Sequence, residues 1–143
     1  MRGMGLARLG LSVALLSGTA FGALAQLQPR QDSWTTRAMG QYGGRIISGL
    51  GPLPSSVELE FTSNGDITGE YGFSQSGERI EGRLDSCAVM RPFAIACRWH
   101  DRNGEGALEM VFARDLASFV GRWNTDATPE KWRSWFGRKL PSI

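Results

Sequence analysis

Apolar and polar residues alternate with period two from Val57 to Asn124, which is the spacing of half-buried antiparallel strands. Val57, Leu59 and Phe61 alternate with Glu58, Glu60 and Thr62, and Asn64-Gly65 follows at once, a pair that tolerates the positive φ angles of a tight hairpin turn. The return run sets Ile67, Gly69, Tyr71 and Phe73 on one face. Ile80, Gly82 and Leu84 then oppose Glu81, Arg83 and Asp85, and Phe93, Ile95, Cys97 and Trp99 oppose Arg98 and His100. A turn through Asn103-Gly104-Glu105-Gly106 leads into Leu108, Met110 and Phe112, and a second turn through 114–117 leads into Phe119, Gly121 and Trp123. The expected fold is therefore mostly β: an antiparallel up-and-down meander of six strands, or seven with an edge strand over 45–48, strongly coiled or barrel-like.

Four of these runs place a glycine or cysteine between two larger apolar residues, as in Ile67-Thr68-Gly69-Glu70-Tyr71 and Phe119-Val120-Gly121-Arg122-Trp123. A small residue in the middle of an inward face weakens a strand unless a large side chain packs over it or the sheet bends there. These positions predict a sheet coiled around its aromatic residues.

The flanks read differently. Residues 26–56 predict an irregular segment, broken by Gly49, Gly51, Pro52 and Pro54. Residues 57–124 make the meander, and 125–143 predict a short C-terminal helix and tail, because Thr128-Pro129 has the form of a helix start and Gly137 that of a stop. On such a helix Trp132, Trp135 and Phe136 share one face, with Lys131 and Arg133 beside them. That basic aromatic stripe is expected to plug the open end of the sheet, and otherwise to offer a partner or membrane surface.

Residues 1–25 have the form of an export signal: Arg2 and Arg8 precede an apolar stretch that ends in Ala23-Leu24-Ala25. The expected product begins at Gln26 and is periplasmic or secreted. The chain carries 16 Lys+Arg against 14 Asp+Glu, and loss of Arg2 and Arg8 would leave 14 against 14. A neutral exported protein lacks the electrostatic footprint of a nucleic-acid binder, so no nucleic-acid partner is expected. Cys87 and Cys97 are the 2 cysteines of the chain, and in an oxidising compartment they predict a disulfide.

Candidate chemistry is sparse. His100 is the 1 histidine, there is no Cys-x-x-Cys, and Glu58, Glu60, Glu70, Glu81 and Asp85 fall on the polar face among Arg83, Arg98 and Arg122, where cross-strand charge pairs are expected. We expect no catalytic residues, no metal site and no cofactor.

The stretch Val57 to Trp123 resembles the strand meander of the avidin family, through Asn64-Gly65-Asp66-Ile67-Thr68-Gly69-Glu70-Tyr71, Ile80-Glu81-Gly82-Arg83-Leu84-Asp85-Ser86 and Phe119-Val120-Gly121-Arg122-Trp123. That resemblance implies a barrel with a small-ligand calyx to which Tyr71, Trp99 and Phe119 contribute, and Trp123 joins them as a fourth candidate ligand-binding residue of such a calyx. Phe73 stands where the family has a ligand-binding serine, and the chain after Trp123 is shorter than the family's two closing strands, so biotin binding is not expected to carry over. Two functions follow as expectations: a non-enzymatic binding or interaction module of the bacterial envelope, working on a protein partner or small ligand, and alternatively a small-ligand-binding, avidin-like barrel.

Overall fold

A computed structural model describes residues 33–142. The predicted export signal and Gln26 lie outside the described residues. A five-residue helix, α1 (Trp34–Ala38), precedes eight strands: β1 (Gly40–Ser48), β2 (Gly51–Phe61), β3 (Ile67–Gln75), β4 (Glu78–Arg91), β5 (Ala94–Asp101), β6 (Gly104–Phe112), β7 (Ser118–Thr125) and β8 (Thr128–Lys139). Each strand pairs antiparallel with the next, and β8 returns to pair with β1, so the sheet is a closed up-and-down barrel.

The expectation of six or seven strands and a C-terminal helix is thereby corrected. Residues 125–142 are not helical: β8 hydrogen-bonds β7 on one side, with Val120 opposite Phe136, and β1 on the other, with Ile46 opposite Trp135. The physical reason is the pair of sheet edges that a helix would leave open. Both β7 and β1 would expose rows of unpaired backbone groups, and one strand between them satisfies both rows. The i, i+3, i+4 stripe is consequently split, with Trp135 buried inside the barrel and Trp132 and Phe136 outside it.

The described part of the 26–56 segment, residues 33–56, holds α1, β1 and the first half of β2 rather than irregular chain with one short edge strand. Its prolines mislead for a definable reason. Pro52 and Pro54 face Ile47 and Arg45 of β1, but the β2–β3 ladder begins only at Ser55. A missing backbone N–H costs little where the strand has a single neighbour.

Inside, the alternation holds. Val57, Leu59, Tyr71, Ile80, Leu84, Ile95, Cys97, Trp99, Leu108, Met110 and Phe119 are buried. Outside stand ion pairs, among them Arg79–Glu81, Arg102–Glu78 and Arg122–Glu109. Charge outward and apolar side chains inward is the reverse of the pattern of a membrane-spanning barrel.

The two ends differ. At the α1 end, Trp34 packs on Phe93 and Phe112 with ring centroids 5.5 and 6.0 Å apart, and Tyr42 and Phe119 fill the space beneath. The Tyr42 hydroxyl donates to the Ala38 carbonyl at 2.7 Å and ties helix to barrel. Phe93, read from the sequence as an inward strand residue, instead sits in the β4–β5 turn at φ 64°, held there under Trp34. At the other end the β1–β2, β3–β4, β5–β6 and β7–β8 turns leave the barrel open.

Cys87 and Cys97 form the expected disulfide. It joins neighbouring strands where β4 carries one extra residue between Asp85 and Ala88, so the bond lies across a bulge.

Candidate functional site

The open end holds a cavity of about 260 Å³. Its walls come from inward positions on alternate strands: Ile46 from β1, Tyr71 and Phe73 from β3, Trp99 from β5 and Trp123 from β7, with Trp135 added by β8. Period-two alternation places them all on one surface, and barrel closure brings them to one space. The mouth is polar, with Ser48, Gln75, Asp101, Asn103, Thr125 and Thr128, and Lys131 and Arg133 standing on the β8 side.

The aromatic walls are held by packing and by used-up donors. Tyr71 meets Trp135 edge-on at 5.2 Å, and Trp99 meets Trp123 edge-on at 5.7 Å. The Trp99 indole N–H donates to the Asn124 carbonyl at 2.7 Å, that of Trp123 to the Ile47 carbonyl at 3.2 Å, and that of Trp135 to the Ser55 hydroxyl at 3.1 Å. With these donors engaged, the tryptophans present ring surface to the cavity.

Asn124 organises this wall from behind. Its side chain accepts the Ala107 N–H and donates to the Pro129 carbonyl, both at 2.9 Å, across the register shift of β7 against β8. Nothing in the alternation pattern marks Asn124, because a buried polar residue is recognisable only once its partners are in place.

Tyr71 and Asp101 form the polar pair of the cup. The phenol donates to Asp101 Oδ2 at 2.7 Å, and Asp101 Oδ1 accepts the Asn103 backbone N–H, also at 2.7 Å. Burial, and then the hydrogen bond to Asp101 and its charge, push the Tyr71 phenol well above its ordinary range. It stays protonated and acts as a fixed donor to the carboxylate.

Of the four ligand-binding candidates read from the sequence, the structure brings Tyr71, Trp99 and Trp123 to the cavity, whereas Phe119 lies in the aromatic plug near α1, 5.5 Å from Tyr42. Phe73, Ile46 and Asp101 were missed as site residues. Trp135, Lys131 and Arg133, expected on a helix surface, also line the cavity, since in β8 they share the inward register. Trp132 and Phe136 are on the outer wall, where the Arg122 guanidinium lies 4.3 Å from the Trp132 ring centre.

His100 lies on the outer face near the end of β5. Its Nε2 stands 3.0 Å from Asp85 and its Nδ1 3.0 Å from Glu105 on the outer face.

No protein-family model matches the chain, and no curated protein matches it. Among solved structures it is similar to a de novo designed fluorescence-activating β-barrel, over 71% of this chain and 93% of that one, at 20% sequence identity and a TM-score of 0.52. That likeness is one of fold: it supports the β-barrel, and no avidin-family link is shown.

Proposed function

We propose that the protein is an exported barrel that binds a small ligand without converting it. The observation that carries this reading is the cup itself: three tryptophans, a tyrosine and a phenylalanine converge on a space of about 260 Å³. An apolar hollow with a few polar groups at its mouth is the ordinary form of a small-molecule site, and this volume suits a compact ligand. The titratable pair in the cup, Tyr71 and Asp101, is locked to itself, and the imidazole lies outside the barrel. Both facts favour holding over turnover.

The test is titration of the purified protein with N-phenyl-1-naphthylamine, a neutral dye that brightens in apolar sites. Saturable one-to-one enhancement is expected, and Thr128→Trp, which sets a ring in the mouth, should abolish it. Enhancement that survives this plug would overturn the reading.

Export to the periplasm or beyond is supported by the 1–25 pattern and by the disulfide. Intact-mass measurement on fractionated cells should find a chain beginning at Gln26, and recovery of residues 1–25 on the folded protein would contradict it.

A second reading, an interaction module, rests on a row of outward apolar residues. Val111, Val120 and Phe136 are register partners across β6, β7 and β8, and all three are exposed. Phe136→Ser should abolish any co-sedimentation with anionic vesicles or capture of an envelope partner, and leave dye binding unchanged.

A further inference from the structure

Resting on the ligand-binding reading, we propose that the cup selects planar aromatic anions and holds the acidic group between Lys131 and Arg133. Both side chains project inward from β8, two residues apart on one face, as does Trp135 one step deeper. Two residues of strand separate their origins by about 6 to 7 Å, close enough for both to reach one carboxylate or sulfonate.

Lys131 and Arg133 are the two cations among the residues that line the cavity. Arg79, Arg83, Arg98, Arg102 and Arg122 on the outer wall each have a carboxylate partner. Among the described residues neither Lys131 nor Arg133 has one. Arg133 instead lies 6.0 Å from the centre of the Trp123 ring, so that its guanidinium borders the same space as the aromatic wall.

The carboxylate of the cup sets the orientation. Asp101 lines the cavity from β5, with one oxygen taken by the Tyr71 hydroxyl and the other by the Asn103 N–H. Its negative charge repels an acid and leaves the β8 side as the place where one is stabilised. The engaged indole N–H groups leave ring faces for the rest of the ligand, which favours a flat apolar body over a hydroxyl-rich one.

A matched pair of probes tests this on the purified protein: 1-anilinonaphthalene-8-sulfonate, which is anionic, and N-phenyl-1-naphthylamine, which shares its ring system without the sulfonate. The affinity ratio of the two is the readout. Lys131→Gln with Arg133→Gln should shift that ratio about tenfold toward the neutral dye through loss of the anion alone, and about 0.5 M NaCl should shift it the same way in the unaltered protein. Arg133→Lys, which keeps the charge, should retain most of the preference and guards against a folding artefact. Thr128→Trp should block both dyes and Phe136→Ser neither, which places the binding in the cup. If the neutral dye binds in the cup and the ratio is unmoved by the double substitution, the anion proposal alone falls. If neither dye binds there, the ligand-binding reading falls with it.

Discussion

The ring of Tyr71 lies across Gly82, its register partner on β4, so closely that any side chain at position 82 would occupy the space of the phenol. The same relation recurs between Trp99 and Gly106 on β6, and between Phe119 and Gly137 on β8. In each pair the glycine lets an aromatic ring fold flat onto the neighbouring strand, which curls the sheet and covers the backbone that the glycine exposes. Two of these rings form walls of the cup and the third belongs to the plug, so one device shapes both ends of the barrel.

Gly82→Ala should therefore destabilise the protein by about 1 to 3 kcal/mol, the usual cost of overpacking. It should also weaken dye binding, because the displaced phenol leaves Asp101. Gly77→Ala serves as the comparison: that turn glycine has open space around it, and its cost comes from its positive φ alone. Urea midpoints with parallel dye titrations read both effects, and unchanged binding in the Gly82→Ala variant would show that the Tyr71–Gly82 contact does not set the cup.

The chain has 2 tyrosines, and both phenols are held protonated by the fold. Burial raises Tyr42 to about 12, and Tyr71 is raised further. For an acid whose folded pKa exceeds its unfolded one, the stabilisation is complete below the unfolded value of 10 and is lost as pH climbs above it. Absorbance at the tyrosinate band should stay flat through about pH 10 and rise only together with loss of near-ultraviolet circular dichroism. A separate titration near the ordinary tyrosine value in the folded protein would contradict the burial of these groups.

At low pH the outer wall should fail. Arg102 lowers the Glu78 carboxyl by hydrogen bond and charge, and Arg98 does the same for Asp126. Partial burial pulls Asp85 upward, but His100, Ser86 and Arg83 together bring it below its ordinary 3.8. Carboxylates with depressed folded pKa values stabilise above their unfolded values and lose that contribution as pH falls through the folded ones. The melting temperature should be level from neutral pH to about 4.5, then decline, with the decline reduced in high salt because these pairs are exposed. Asp126→Asn should remove part of the decline.

Replacing Cys87 and Cys97 together by alanine should lower stability by about 2 to 5 kcal/mol while leaving strand content and dye binding in place. The bond spans a bulge on β4 away from the cup, so it constrains the unfolded chain and the local bend rather than the site. An unchanged urea midpoint would show that the bulge needs no covalent support.

Truncation after Asp126 is a sharper test of closure than of any single residue. It removes β8, and with it the partners of both β7 and β1. The remaining seven strands would expose two edges and lose buried Trp135, so the truncated chain should aggregate or show no cooperative melt. A soluble, cooperatively folding product would mean that β8 is dispensable.

The alternation of residue types by itself determined most of the wall of this barrel: which residues of β3, β5, β6 and β7 point inward, that glycines sit beneath aromatic rings, and that Glu58, Glu60, Glu70, Glu81, Arg83, Arg98 and Arg122 face outward. Those are local properties, since the face a strand residue occupies follows from its position parity. What the tertiary structure decided was closure and membership of the site. The residues 128–139 satisfy a helical spacing as well as a strand alternation, and the choice came from two distant sheet edges that needed hydrogen-bond partners. Closure then determined which inward residues share a space. Tyr71, Trp99 and Trp123 meet at the open end, joined by Trp135, Lys131 and Arg133 through the β8 register, whereas Phe119 is carried to the plug. Position parity says inside or outside, but depth along a barrel depends on how every strand is staggered against its neighbours, which no single segment encodes.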